Sequence, residues 1–443
     1  MAAGRSIADC AMALMIALSS GCGSTHSNAH SDAGGSGGRP AQTGGVSGAG
    51  GTSDTGEVGG VSGLAGAGAT GGAGGAGGAG GAGGAGGAAI AFYPLDMNDV
   101  TILAPLPQSL DAPVLLRGDD VADDGTVFVP PALFERLAKD ELPSPDLYSN
   151  LHLIAVRFDL CDRRRPGSCA QTEDAQLRLV FQPLSTTPPH ARDVGLHAFY
   201  AIRSDEIPGA VAALRELAQS APAQTGPLRV SPALTGAASE SYATKLRAFV
   251  RRHGGEARLV QLTANMQPGI FSAIRWSLRG VVKMGDEFVD MPIVGTNEVS
   301  QAVVLSGASY NVTPPVDQPT GLLGAITAAA FDAADLATKR DYLAALAATD
   351  NPLSHTAETV PCVACHVSTV IMSQRAGITI DPLALPGRYT SRFDLSIAGG
   401  MSAQTSRTIR ALGYLAQQPM ISQRVVNETA QTLAEIEARF PPP

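Results

Sequence analysis

Aromatic side chains make up 5% of the 443 residues, with a single Trp, and charged side chains only 16%. Lys and Arg together number 31 against 40 Asp and Glu, a net charge of -9, so no basic surplus exists to track a phosphate backbone and nucleic acid is excluded as a partner. No apolar run approaches the roughly 20 residues that span a bilayer; the longest, near the N-terminus, is about half that. Any membrane attachment must therefore come by another route. Six Cys in a chain of this length do not make a disulfide-stapled scaffold. What is in excess is Gly, 51 residues, and the surplus is packed into one stretch before residue 90.

The N-terminus reads as an address. Arg5 precedes a short apolar core from Cys10 to Leu18, followed by Ser19, Ser20, Gly21 and Cys22, the layout of a cleaved export signal over residues 1–21. The site resembles a bacterial lipoprotein lipobox, with Gly21 and Cys22 in place and Ser19 where Leu is usual. That resemblance implies lipidation of Cys22. With Gly23 rather than Asp after the lipidated Cys, it also implies an anchor in the outer membrane, on its periplasmic or cell-surface face. From about Ser31 to Ala89 the chain is mostly Gly, Ala, Ser and Thr, with GGA triplets between Gly71 and Ala88, and residues 22–90 are expected to form a disordered stalk. With Pro40 alone, the stretch lacks the Pro content that a collagen helix favours. Its GGSGG (Gly34 to Gly38) matches the serine-hydrolase GxSxG only by chance, having no strand or helix around it.

Residues 91–325 alternate strand-like and helix-like segments. Leu151 to Leu160, Gln176 to Pro183 and Leu196 to Ile202 carry a period-2 pattern, as do Arg258 to Asn265, Ile274 to Met284, Glu287 to Val294 and Gln301 to Leu305. Helices are expected at Ile207 to Gln219 and Tyr242 to Arg252. Short turns between strands favour antiparallel pairing, so an α+β domain on a mostly antiparallel sheet is expected. From 326 to 443 the pattern turns helical: Ala328 to Ala348, Ser406 to Ala416, and Ser422 to Phe440 with Ser422 as N-cap. This predicts a second, small all-α domain with its own core.

Within it lies PCVACH, Pro361 to His366, the CxxCH of c-type haem attachment. Cys362 and Cys365, two residues apart, would each bond a haem vinyl as a thioether while His366 binds the iron. A zinc site using His355 with the same three residues is the alternative, as is a Cys362–Cys365 redox disulfide. With Cys10 in the signal, Cys22 lipidated and the CxxCH pair on haem, Cys161 and Cys169 remain as a disulfide pair closing a charged loop. The region resembles a small class I cytochrome c domain, which covers about a quarter of the chain. The resemblance implies a Met as sixth iron ligand, with Met420 after Pro419 first and Met401 second; His355 is a further option, and Met372 reads as packing. His190 and His197 read as surface histidines, and Trp276 as core.

No nucleophile has a base at a recognisable spacing, so no catalytic residue is assigned. The expectation is an exported lipoprotein with one covalent haem c, an electron carrier more than a substrate-turning enzyme, working with a redox partner protein or a small-molecule electron donor or acceptor. The opposing reading is a surface binding or scaffolding lipoprotein whose CxxCH region holds zinc or no cofactor.

Overall fold

Twelve strands form among the described residues: β1 (Thr101–Leu103), β2 (Leu151–Leu160), β3 (Ala175–Ser185), β4 (His190–Ala191), β5 (Gly195–Ile202), β6 (Leu259–Met266), β7 (Ile274–Met284), β8 (Glu287–Asp290), β9 (Ser300–Ser306), β10 (Ser309–Thr313), β11 (Leu412–Leu415) and β12 (Gln418–Ile421). The structure, a computed structural model, describes residues 94–442 apart from 139–145, 162–168, 170–173, 186–187, 222–225, 237–238, 268–273, 377–383, 399–408 and 410. The export signal, Cys22, the Gly-rich stalk and Met401 lie outside the described residues.

Ten strands make one sheet in the order β1-β2-β3-β5-β6-β7-β9-β10, with β4 beside β3 and β8 beside β7. All its ladders are antiparallel. The helices are α1 (Met97–Val100), α2 (Pro131–Ala138), α3 (Asp146–Ser149), α4 (Ile207–Gln219), α5 (Ser239–His253), α6 (Leu322–Ile326), α7 (Ala328–Ala333), α8 (Leu336–Thr349), α9 (Cys362–Ala376) and α10 (Gln423–Arg439).

Alternation along the strands decides which face is packed and which is left for a site. Side chains of directly paired residues stand on the same face, and the next residue along points to the other. The register row Val156, Leu179, Ala198, Leu262 and Val281 is wholly apolar. It is buried in one cluster with Val211 and Leu214 of α4 and Leu246 and Val250 of α5. One residue along, the row on the opposite face reads Arg157, Arg178, Phe199, Gln261 and Val282. That second face therefore grades from charged to apolar across five strands.

The separate all-α domain expected over 326–443 is not formed, and the fold class is corrected accordingly. The chain from Gly86 to Pro443 is one compact unit in which sheet and helices interweave. Val363, Val367, Val370 and Ile371 of α9 are buried with Trp276, Leu278 and Val303 of the sheet and Leu343 and Leu346 of α8. Thr429 of α10 shares a buried 2.7 Å hydrogen bond with Thr101 of β1. Helices that bury their apolar faces on the sheet have none left for a core of their own. Two finer expectations also change. The helix read over 328–348 is broken into α7 and α8, because the Asp335 side chain accepts from Thr338 N at 2.8 Å and starts a new helix there. Within the segment read as a helix over 406–416, Leu412–Leu415 is a strand, paired with Gln418–Ile421.

Candidate functional site

Two adjoining cavities open between the graded sheet face, the start of α9, the segment 352–360 and α10. The apolar one, about 370 Å³, is walled by Leu278, Val282, Met291, Val294 and Val360. The polar one, about 170 Å³, is walled by Arg157, Asp159, Arg178, Arg424 and Glu428. His197, Phe199, Gln261, Cys365 and His366 line both. The pair is thus one amphipathic cleft whose polarity follows the register row beneath it.

α9 begins where Pro361 ends the preceding segment. The Pro361 carbonyl accepts from Ala364 N at 2.9 Å, and Gln301 Oε1, reaching across from β9, accepts from Val363 N at 3.2 Å. Both N–H groups belong to the first turn, which has no intrahelical acceptors, so a sheet side chain fixes the helix at its start. Residues three and four apart share a helix face, which sets Cys362, Cys365 and His366 together on the cleft side. His366 Nδ1 donates to the Ile409 carbonyl at 2.9 Å, and its ring meets that of His197 edge-on with centroids 6.4 Å apart. Both thiols are free. Burial, together with the neighbouring Cys365, pushes the Cys362 thiol up to about 12, and burial pushes Cys365 to about 11. Neither is a thiolate at neutral pH.

The polar end is an ion network buried between β2, β3 and α10. Arg157 Nε lies 2.5 Å from Asp159 Oδ1, and its Nη1 donates to Glu428 Oε2 at 2.6 Å. Arg178 Nη2 reaches Asp159 Oδ2 at 3.1 Å. Arg424, one helical turn before Glu428, donates to it from Nε at 2.5 Å. Burial alone would raise the Glu428 carboxyl, but Arg424, Arg157 and Arg178 overcome that and hold it well below the usual carboxylate range.

Of the residues singled out in the sequence, Cys362, Cys365 and His366 do come together on the cleft. Met420, fully buried, pairs with Gly413 in the β11–β12 hairpin and lines neither cavity. Met372 is partly buried among the residues around α9. His355 Nδ1 is 3.4 Å from Thr359 Oγ1, and its carbonyl accepts from Arg424 Nη2. Cys161 and Cys169 are joined in a disulfide.

The covalent haem, with Met420 as its ligand, and the zinc alternative are corrected on two findings, while Met401 lies outside the described residues. The independent helical module on which the cytochrome c resemblance rested is absent, α9 being part of the sheet's own packing. Among the described residues, no three or more His, Cys, Asp or Glu side chains gather in a group that could hold a metal ion. The expected electron transfer and redox partner fall with them. His197 is corrected too: it stands on the cleft wall rather than on a free surface. The residues that sequence reasoning passed over are Arg157, Asp159 and Arg178, the charged positions inside the largely apolar runs LHLIAVRFDL and AQLRLVFQPLS. A charge in a buried strand is the signal that was there to be read.

No family model, curated protein or solved structure matches this chain.

Proposed function

We propose that this is an exported lipoprotein that binds a small, largely apolar molecule in the cleft between the sheet and α9. The observation that carries the reading is the apolar cavity of about 370 Å³ with a few polar side chains, His197, Gln261 and His366 among them, on its wall, the usual make-up of a small-molecule site. A binding role suits the chemistry better than a catalytic one. The two thiols on the wall are held protonated by burial, and a protonated thiol is a poor nucleophile.

The test uses the neutral, apolar fluorophore N-phenyl-1-naphthylamine, whose emission rises in a dry site. Ala357 is exposed and lines both cavities, so Ala357→Trp fills the mouth without disturbing buried packing. Saturable fluorescence enhancement with the parent protein and its loss in Ala357→Trp is the expected result. Equal enhancement in both would place the probe elsewhere and remove the reading.

The export signal and the lipobox-like Ser19-Ser20-Gly21-Cys22 support placement at the outer membrane, with the Gly-rich residues as a spacer between lipid and binding domain. Cys22→Ser is expected to move the protein from the membrane to the soluble fraction. Unchanged membrane association would refute the anchor while leaving the cleft reading intact.

A further inference from the structure

The chemical class of the ligand is narrowed by the polar chamber, an inference that rests on the cleft being a binding site. We infer that the ligand is an amphiphile with one carboxylate, its apolar body in the larger cavity and its anion at Arg178.

Arg178 is the guanidinium of the network with capacity to spare. Arg157 Nε makes no hydrogen bond of good geometry, but it lies 2.5 Å from Asp159 Oδ1, and its Nη1 has Glu428 Oε2 at 2.6 Å. Arg424 uses all three nitrogens, donating to Glu428 Oε1 at 2.5 Å, the Thr349 carbonyl at 2.8 Å and the His355 carbonyl at 2.9 Å. Arg178 has Asp159 Oδ2 at 3.1 Å, but Glu428 Oε2 only at 3.5 Å, and its Nε is buried with no hydrogen-bond partner. A buried donor left unmade is costly, and a carboxylate presented to the guanidinium edge satisfies it with a charge-assisted bond.

Position agrees with that assignment. The Arg178 guanidinium lies over the Phe199 ring, 4.9 Å from its centroid, and Phe199 lines both cavities, so Arg178 stands where the polar chamber meets the apolar one. Three guanidinium groups face two carboxylates, Asp159 and Glu428, in the network. Glu435, part-buried on the chamber wall, accepts from Gln431 Nε2 at 2.7 Å. With Glu435 the chamber wall carries as many carboxylates as guanidinium groups, so the anion preference rests on the incompletely satisfied Arg178 itself, inside a low-dielectric cleft where a charge pair is screened little.

The experiment titrates the full chain by calorimetry with 1-pyrenebutyrate and dodecanoate, each against its neutral primary amide, using the parent protein, Arg178→Gln and Arg178→Lys. Arg178→Gln is expected to fold, because Asp159 keeps Arg157 and Gln176, and Glu428 keeps Arg157 and Arg424; a melting curve checks this. The parent protein should bind at least one acid about tenfold or more tighter than its amide, the scale of one charge-assisted bond. Arg178→Gln should bring acid and amide level by weakening the acid alone, and Arg178→Lys should keep part of the preference. Amides binding as tightly as acids to the parent, or an acid preference retained in Arg178→Gln, would overturn the carboxylate assignment while the cleft reading stands. If the parent bound none of the four, and the neutral fluorophore as well, both would fall.

Discussion

At the scale of single residues, Glu428 has the largest consequences. It is the shared acceptor of Arg157 and Arg424 and the distant partner of Arg178, in a place where a charge without its counter-ion is very unfavourable. Glu428→Gln keeps the shape and removes the charge. The expected loss is about 3 kcal/mol of unfolding free energy, the lower end for breaking a buried pair, because Asp159 still holds Arg157 and Arg178. Urea unfolding monitored by circular dichroism measures it, and a loss under about 1 kcal/mol would mean that the network is far more hydrated than its burial indicates. None of this network was read from the sequence. CxxCH stands out because its three residues are local, whereas Arg157, Arg178 and Glu428 are brought together by β2–β3 register and by a helix hundreds of positions later in the chain. Local spacing identified the cleft wall and misassigned its purpose. Spacing says that Cys362, Cys365 and His366 share a helix face, but what that face meets depends on where the helix packs.

At the scale of elements, strands were read well and helix partners poorly, for one physical reason. Period-2 alternation is a property of the strand itself, so β2, β5 and β7 could be placed within a residue or so from LHLIAVRFDL, LHAFYAI and IRWSLRGVVKM. An amphipathic helix announces an apolar face without naming what covers it, and the helices after residue 325 were given a core of their own when α9 and α10 bury their apolar residues with those of the sheet. The cap at Ser422 is a local feature and was visible in advance: its side chain accepts from Val425 N at 3.3 Å at the start of α10. Ser422→Ala is expected to cost about 1 kcal/mol. The loss should appear as a lower urea midpoint at unchanged slope, because a missing cap weakens the native state without changing the surface exposed on unfolding. A changed slope would instead indicate that α10 detaches before the rest of the molecule. The segment 406–416 misled because Ile409, Leu412 and Ala416, at i, i+3 and i+7, also fit a helical stripe; the left-handed turn at Ala416 closes a hairpin that such a pattern does not reveal.

At the scale of the whole molecule, buried titratable groups of opposite habit set the response to acid. His152 is buried with both ring nitrogens unpartnered, and burial, with Arg117 nearby, lowers it from 6.5 to about 4; burial does the same to His253. Between pH 6.5 and 4 the unfolded chain takes up protons that these two refuse in the fold, so their contribution to stability falls as pH falls. Asp99 and Asp350 do the reverse. Burial raises them from 3.8 to about 7 and about 6, so the fold holds protons that the unfolded chain has released, and their contribution falls as pH rises across that window. The two pairs oppose each other over nearly the same range, which predicts a melting temperature almost flat from about pH 4.5 to 6. Below that, Glu206, held down to about 2 chiefly by its bonds to Arg258, and Glu428 lose the charge that the fold favours, and stability drops. His152→Leu removes one arm of the balance and fills the space with an apolar side chain. Its melting temperature should gain steadily on the parent protein as pH is lowered from 6.5 to 4.5, in melts recorded at half-unit steps. Parallel curves for the two proteins would show that His152 takes up its proton in the native state as readily as in the unfolded chain, and that the flat region has another origin.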